Sequence, residues 1–122
     1  MKSALDWFEI PATDIERAAR FYGQIYHTEM AIGEVNPGYP MAMLPVGPGG
    51  IGGAVVQGEG YVPSTEGTVV WLNGGEDLNT VLDRVEAAGG KVLTPKMSIG
   101  EHGFAAFFLD SEGNRIGLHS MA

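Results

Sequence analysis

The chain contains no cysteine, which excludes disulfide frameworks, thiolate nucleophiles and cysteine-built zinc sites. Charge is also scarce: 18% of residues are Asp, Glu, Lys or Arg, against 44% hydrophobic, a balance that excludes wholesale disorder. Positive charge is the scarcer sign. Seven Lys and Arg stand against fifteen Asp and Glu, for a formal net charge of −8. Nucleic acid and anionic membrane surfaces would both be repelled, so neither is expected as a partner. The same acidity is compatible with a cationic ligand, and in its plainest reading it serves solubility. No apolar run approaches the ~20 residues that span a bilayer. No basic start leads into an apolar signal segment, so the expected location is the cytoplasm. Gly47-Pro48-Gly49-Gly50-Ile51-Gly52-Gly53 lacks the lysine and hydroxyl of a phosphate loop and precedes a strand, not a helix. There is no serine nucleophile elbow.

What is present is a chain of 122 residues with 19 glycines, long enough for one domain with a real core and suited to many short strands. Its organising stretch is residues 7–22, read as strand, tight turn and amphipathic helix. Leu5, Trp7 and Glu9 point one way from the strand; Phe8 and Ile10 point the other, toward the helix. Pro11 ends the strand. Thr13 and Glu16 have the spacing of a capping box, and Ile15, Ala18, Ala19, Tyr22 and Ile25 form one face of a helix over about 14–27.

The pattern recurs 63 residues later, the distance from Asp14 to Asp77. Ile15 lands on Leu78, Ala18 on Val81, Ala19 on Leu82, Tyr22 on Val85 and Phe8 on Trp71. Two copies imply a pseudo-symmetric domain. Further strands are expected at 30–34, 39–46, 51–57, 68–73, from 91, 104–109 and 115–120, with a second helix over about 77–88. Each half then reads β-α-β-β-β: 1–57 and 68–122, joined by a glycine-rich linker at 58–67. A helix covers one face of each sheet. Two such α+β modules, curled side by side, leave a shared concave cup, a common place for a ligand.

Phe21-Tyr22 late in the first helix, and Asp110-Ser111-Glu112-Gly113-Asn114-Arg115-Ile116 before the last strand, resemble the vicinal oxygen chelate superfamily. That group includes glyoxalase I, bleomycin-resistance proteins, extradiol dioxygenases and fosfomycin-resistance enzymes. The resemblance covers essentially the whole chain and implies two βαβββ modules with pseudo-twofold symmetry forming a cup. It also implies a homodimer, sometimes with exchanged halves. Metal-using members place His, Gln or Glu ligands on the first and last strands of each half. The corresponding positions here are Trp7, Val70, Ala54 and Gly117. None offers nitrogen or oxygen to a divalent cation, so no metal and no other cofactor is expected at that place. Glu9, on the same face as Trp7, is the one candidate for an irregular ligand.

Two titratable residues are expected to point into the cup, Glu9 on the first strand and His119 on the last. Such a carboxylate and imidazole can act as base and acid, or simply sit solvated at the rim. Trp7 is expected to wall the cavity, favouring planar, apolar or cationic ligands. Met43 joins it as an adaptable side chain, and His102 in the loop Glu101-His102-Gly103 as a substrate contact. Trp71, by the 63-residue shift, is expected on the opposite face, packed on the second helix. Three functions fit: a module that binds a small organic molecule; a lyase or isomerase using Glu9 and His119, or a metal enzyme with atypical ligands; or an assembly protein with a vestigial cup.

Overall fold

The computed structural model describes residues 1–122. It holds two four-stranded mixed sheets. The first contains β1 (Trp7–Ala12), β2 (Ile32–Asn36), β3 (Tyr39–Met43) and β4 (Gly52–Gln57), in the order β1-β4-β3-β2. The second contains β5 (Trp71–Asn73), β6 (Lys91–Ser98), β7 (Phe104–Leu109) and β8 (Arg115–Ser120), in the order β5-β8-β7-β6. In each, the first strand pairs parallel with the last, and the remaining pairs are antiparallel. Neither sheet closes into a barrel, and no helix is long and apolar enough to cross a membrane.

Helix α1 (Ile15–Ile25) follows β1, and a single α-helical turn, α2 (Asn79–Leu82), follows β5. Phe8, Ile10 and Ala12 turn toward α1 as their alternation requires, leaving Trp7 and Glu9 on the open face. One cluster of 20 buried residues draws on both sheets and both helices. Area-driven burial of this kind is the main stabilising term of a small domain.

The duplication is visible in how the helices begin. Gln57 at the end of β4 accepts a hydrogen bond from Ile15 N (2.7 Å), and Ser120 at the end of β8 accepts one from Leu78 N (2.9 Å). Both donor and acceptor are displaced by 63 residues between the halves. Each bond satisfies an amide that no helix can satisfy internally. Gln57→Ala should cost about 1 kcal/mol, in the range of a lost helix cap. Chemical denaturation of the variant measures this.

β1 runs past Pro11, which pairs with Val56, so the proline does not end the strand. Three further expectations are corrected. The N-cap of α1 is Asp14, whose Oδ1 accepts from Arg17 N (3.1 Å); Thr13 and Glu16 form no capping box. A second carboxylate at this helix end is that of Glu112, which accepts from Thr13 N and Asp14 N, each at 2.9 Å. The second helix does not run over 77–88. Beyond Leu82 the four-residue ladder is broken by three-residue bonds, such as Arg84 N to Val81 O and Val85 N to Leu82 O. The buried stripe Leu78, Val81, Leu82 and Val85 is nevertheless kept. Burial dictates the pattern, while Asn79, Thr80 and two β-branched valines give α-helix little support of its own.

The third correction is a register shift. Ala54 and Gly117 are equivalent by the 63-residue repeat, yet their partners are Glu9 and Trp71, only 62 apart. The turn after β5 is one residue longer than the turn after β1. A one-residue slip exchanges the faces of a strand. Trp71 therefore lies on the open face, 49% exposed, and Val70 packs against the core.

Candidate functional site

β1 and β5 are edge strands of their sheets, and they face each other across a cleft of about 650 Å³. Trp7 and Glu9 line it from one side, Trp71 and Asn73 from the other, with Tyr26 and Leu44 among the other walls. The two indoles are held alike. Each lies over a glycine of the neighbouring parallel strand, Trp7 over Gly52 and Trp71 over Gly117. A Cβ added at Gly52 would stand 2.9 Å from the Trp7 ring, and one at Gly117 2.5 Å from the Trp71 ring. Trp71 also packs on Phe107, with centroids 4.9 Å apart. Aromatic cover of a strand glycine fixes the ring and exposes its outer face.

Glu9 projects from the open face of β1 with both carboxylate oxygens engaged. Trp7 Nε1 donates to Oε2 at 3.2 Å, and the Tyr61 hydroxyl donates to Oε1 at 2.5 Å. Tyr61 belongs to the segment expected to be a plain linker. It folds back over the sheet, edge-on to Tyr39 at 5.9 Å. The hydrogen bond to Glu9 comes first among the causes that raise the Tyr61 hydroxyl above the ordinary tyrosine pKa. No periodicity marked Tyr61; only its aromatic character in a Gly/Pro/Ser-rich stretch sets it apart. A carboxylate has about four lone-pair positions, so two remain for another donor.

Met43 stands on the same open face, paired with Ala54 beside Glu9, and is 52% exposed. His119 stands on the open face of the second sheet, paired with Asn73. It lines an adjoining cleft of about 900 Å³, which shares Trp71, Leu72 and Asn73 with the first. Its Nε2 lies 2.6 Å from the carbonyl oxygen of His102. A carbonyl only accepts, so Nε2 carries the proton and Nδ1 is the nitrogen left for other partners. His102 takes part through this carbonyl, from a 3-10 turn at Gly100–His102. Its imidazole is 80% exposed and near Glu101 alone. The structure thus brings Trp7, Glu9, Met43 and Trp71 to one open surface and sets His119 in the neighbouring cleft.

The metal pattern of the resembling family finds no donors here. Trp7, Ala54 and Gly117 occupy three of the carried positions, and the register shift replaces Val70 by Trp71 at the fourth. An indole occupies the space that a carboxylate side chain at position 117 would need. No three His, Cys, Asp or Glu side chains converge elsewhere in the chain. These residues do not fit a divalent cation at that place.

The two sequence motifs behind the resemblance prove to be joined. The Tyr22 hydroxyl donates to Asp110 Oδ2 at 2.7 Å, both side chains being buried. Asp110 also accepts from Glu112 N, Asn114 N and Asn114 Nδ2, each at 2.9 Å. Burial raises its pKa, against the opposing effect of these bonds; burial likewise raises the Tyr22 hydroxyl. Their role is to bind α1 to the second sheet.

Comparison with known proteins agrees with this architecture. The family model for the glyoxalase/bleomycin resistance protein/dioxygenase superfamily matches residues 4–118. A glyoxylase-like domain-containing protein from Didymella fabae is 34% identical over 114 residues, covering 87% of this chain and 84% of that one. The putative glyoxylase CFP32 of Mycobacterium tuberculosis is 27% identical over 123 residues; the match takes in 93% of this chain but 44% of that protein. The chain therefore spans less than half the length of that relative. Among solved structures, a glyoxalase/bleomycin resistance protein from Albidiferax ferrireducens superposes with a TM-score of 0.70 at 17% identity, covering 95% of this chain and 98% of that one. The fosfomycin resistance protein FosX of Listeria monocytogenes does so at 0.63 and 14% identity, over 100% and 94%. The chain belongs to the glyoxalase/bleomycin resistance protein/dioxygenase superfamily.

Proposed function

We propose that this protein binds a small organic ligand between β1 and β5, without a divalent cation at the family's usual position. The planar or apolar body of the ligand lies against Trp7 and Trp71, and a cationic or N–H donor group meets Glu9. One observation carries this reading: a carboxylate fixed by two donors, with acceptor capacity to spare, lines one cleft together with two half-exposed indoles. Indole faces attract cations as well as flat apolar groups, and preorganised acceptors lose little entropy on binding.

A second reading, lyase or isomerase chemistry with Glu9 and His119 as base and acid, is favoured by the fixed tautomer of His119 and by the glyoxylase names of the relatives. The two side chains line adjoining clefts, so a substrate of this kind would have to extend past Trp71.

Benzylamine, a minimal planar cation, is a suitable probe, titrated against tryptophan fluorescence. Glu9→Gln should weaken its binding about tenfold, the effect of removing the charge from one hydrogen-bonded acceptor. Equal affinity of the two proteins would reject the reading.

A further inference from the structure

Arg115 opens β8 and is the one partly buried cation of this acidic chain whose side chain has neither an ion pair nor a hydrogen bond. Its guanidinium lies over the ring of Phe107, 3.8 Å from the centroid, and Phe107 in turn packs on Trp71. The ion pairs of the chain are Arg17–Glu112, Lys96–Asp77 and the exposed His102–Glu101; Arg115 is in none of them. Its backbone N–H donates to Ser64 O at 3.3 Å, but its side chain makes no hydrogen bond. It is half-buried all the same. Together with Glu9 it lines a side cleft of about 210 Å³, which shares Glu9, Thr68 and Val70 with the larger cleft. Glu66 lines this side cleft too and does not pair with Arg115.

A half-buried guanidinium without an acceptor is costly to hold. Stacking on an aromatic ring leaves its planar donor fork free for an anion. Resting on the ligand reading above, we infer that Arg115 is an anion-binding pole opposite Glu9, and that the ligand is a small zwitterion. Its cationic group meets Glu9, its carboxylate or comparable anionic group meets Arg115, and its apolar middle passes Thr68 and Val70, which line both clefts. Two poles of opposite sign in one cleft also set orientation, and they reject simple cations and simple anions alike.

Three matched probes test this: 4-(aminomethyl)benzoate, benzylamine and benzoate, each titrated by tryptophan fluorescence. 4-(Aminomethyl)benzoate should bind ten- to a hundredfold more tightly than benzylamine, the range of a charge-assisted bond. Arg115→Gln should bring that ratio close to one, and Arg115→Lys should restore part of it. Circular dichroism establishes that both variants fold. Benzylamine binding with no gain from the added carboxylate, or a gain that survives Arg115→Gln, overturns the inference and leaves the ligand reading intact. Failure of all three probes to bind overturns both.

Discussion

Replacing Asp110 by alanine should cost about 4 kcal/mol, the largest loss expected from any single polar side chain in this protein. Its carboxylate accepts four hydrogen bonds, from Tyr22 OH, Glu112 N, Asn114 N and Asn114 Nδ2. Alanine leaves these donors without an acceptor, and Tyr22 and Asn114 are buried. Each buried donor stranded in this way costs about 1–3 kcal/mol, and local relaxation recovers part of the sum. Against a total stability of about 5–15 kcal/mol for a small domain, this is a large fraction. Tyr22→Phe removes one bond of the set and should cost about 1–2 kcal/mol. Urea denaturation at neutral pH measures both. A loss below about 1 kcal/mol for the alanine variant would mean that Asp110 does not bind α1 to the second sheet.

Glu112 gives the second large effect, and it carries a pH signature. Burial acts to raise its pKa, but Arg17, Asp14 N, Ser111 and Thr13 N outweigh that and hold it at about 2. Arg17 donates in bidentate fashion, Nε to Oε2 at 2.7 Å and Nη2 to Oε1 at 3.0 Å. The Glu112 side chain is 1% exposed, the Arg17 side chain 45%. A carboxylate depressed on folding adds stability that is fully present above its unfolded pKa and is lost as pH falls through the folded one. Allowing for solvent screening at Arg17, Glu112→Gln should cost about 2–3 kcal/mol at pH 7. The difference from wild type should shrink to less than half by about pH 3. Asp110 works in the opposite direction, because its raised pKa favours the folded state as pH falls. The comparison of wild type with Glu112→Gln across pH cancels that contribution. A difference that does not change between about pH 7 and pH 3 would refute the assignment.

The half-repeat was legible because the core repeats: Ile15, Ala18, Ala19 and Tyr22 answer to Leu78, Val81, Leu82 and Val85, and all eight are buried. The face of β1 was legible for the same reason, as Phe8 and Ile10 alternate with Trp7 and Glu9. The face of β5 was not. Its register depends on the length of the turn before Leu78, and Trp and Val are both apolar enough to fit either side. Side chains acting across the chain were equally hidden. Glu112 caps a helix 98 residues away, and Tyr61 reaches Glu9 from 52 residues away. Local spacing carries no trace of such partners, so a nearby glutamate, Glu16, was the natural but wrong choice for the cap. Arg115 sits in the motif that pointed to the family, yet its freedom from any carboxylate is visible only once β8 lies beside β7.

The account stands or falls on whether two indoles and one clamped carboxylate suffice to hold a ligand. Benzylamine titrated into protein exhaustively treated with EDTA decides this most directly. Saturable quenching of tryptophan fluorescence, with the same midpoint before and after chelation, is the predicted result. Quenching that vanishes on chelation and returns with a divalent cation would contradict it.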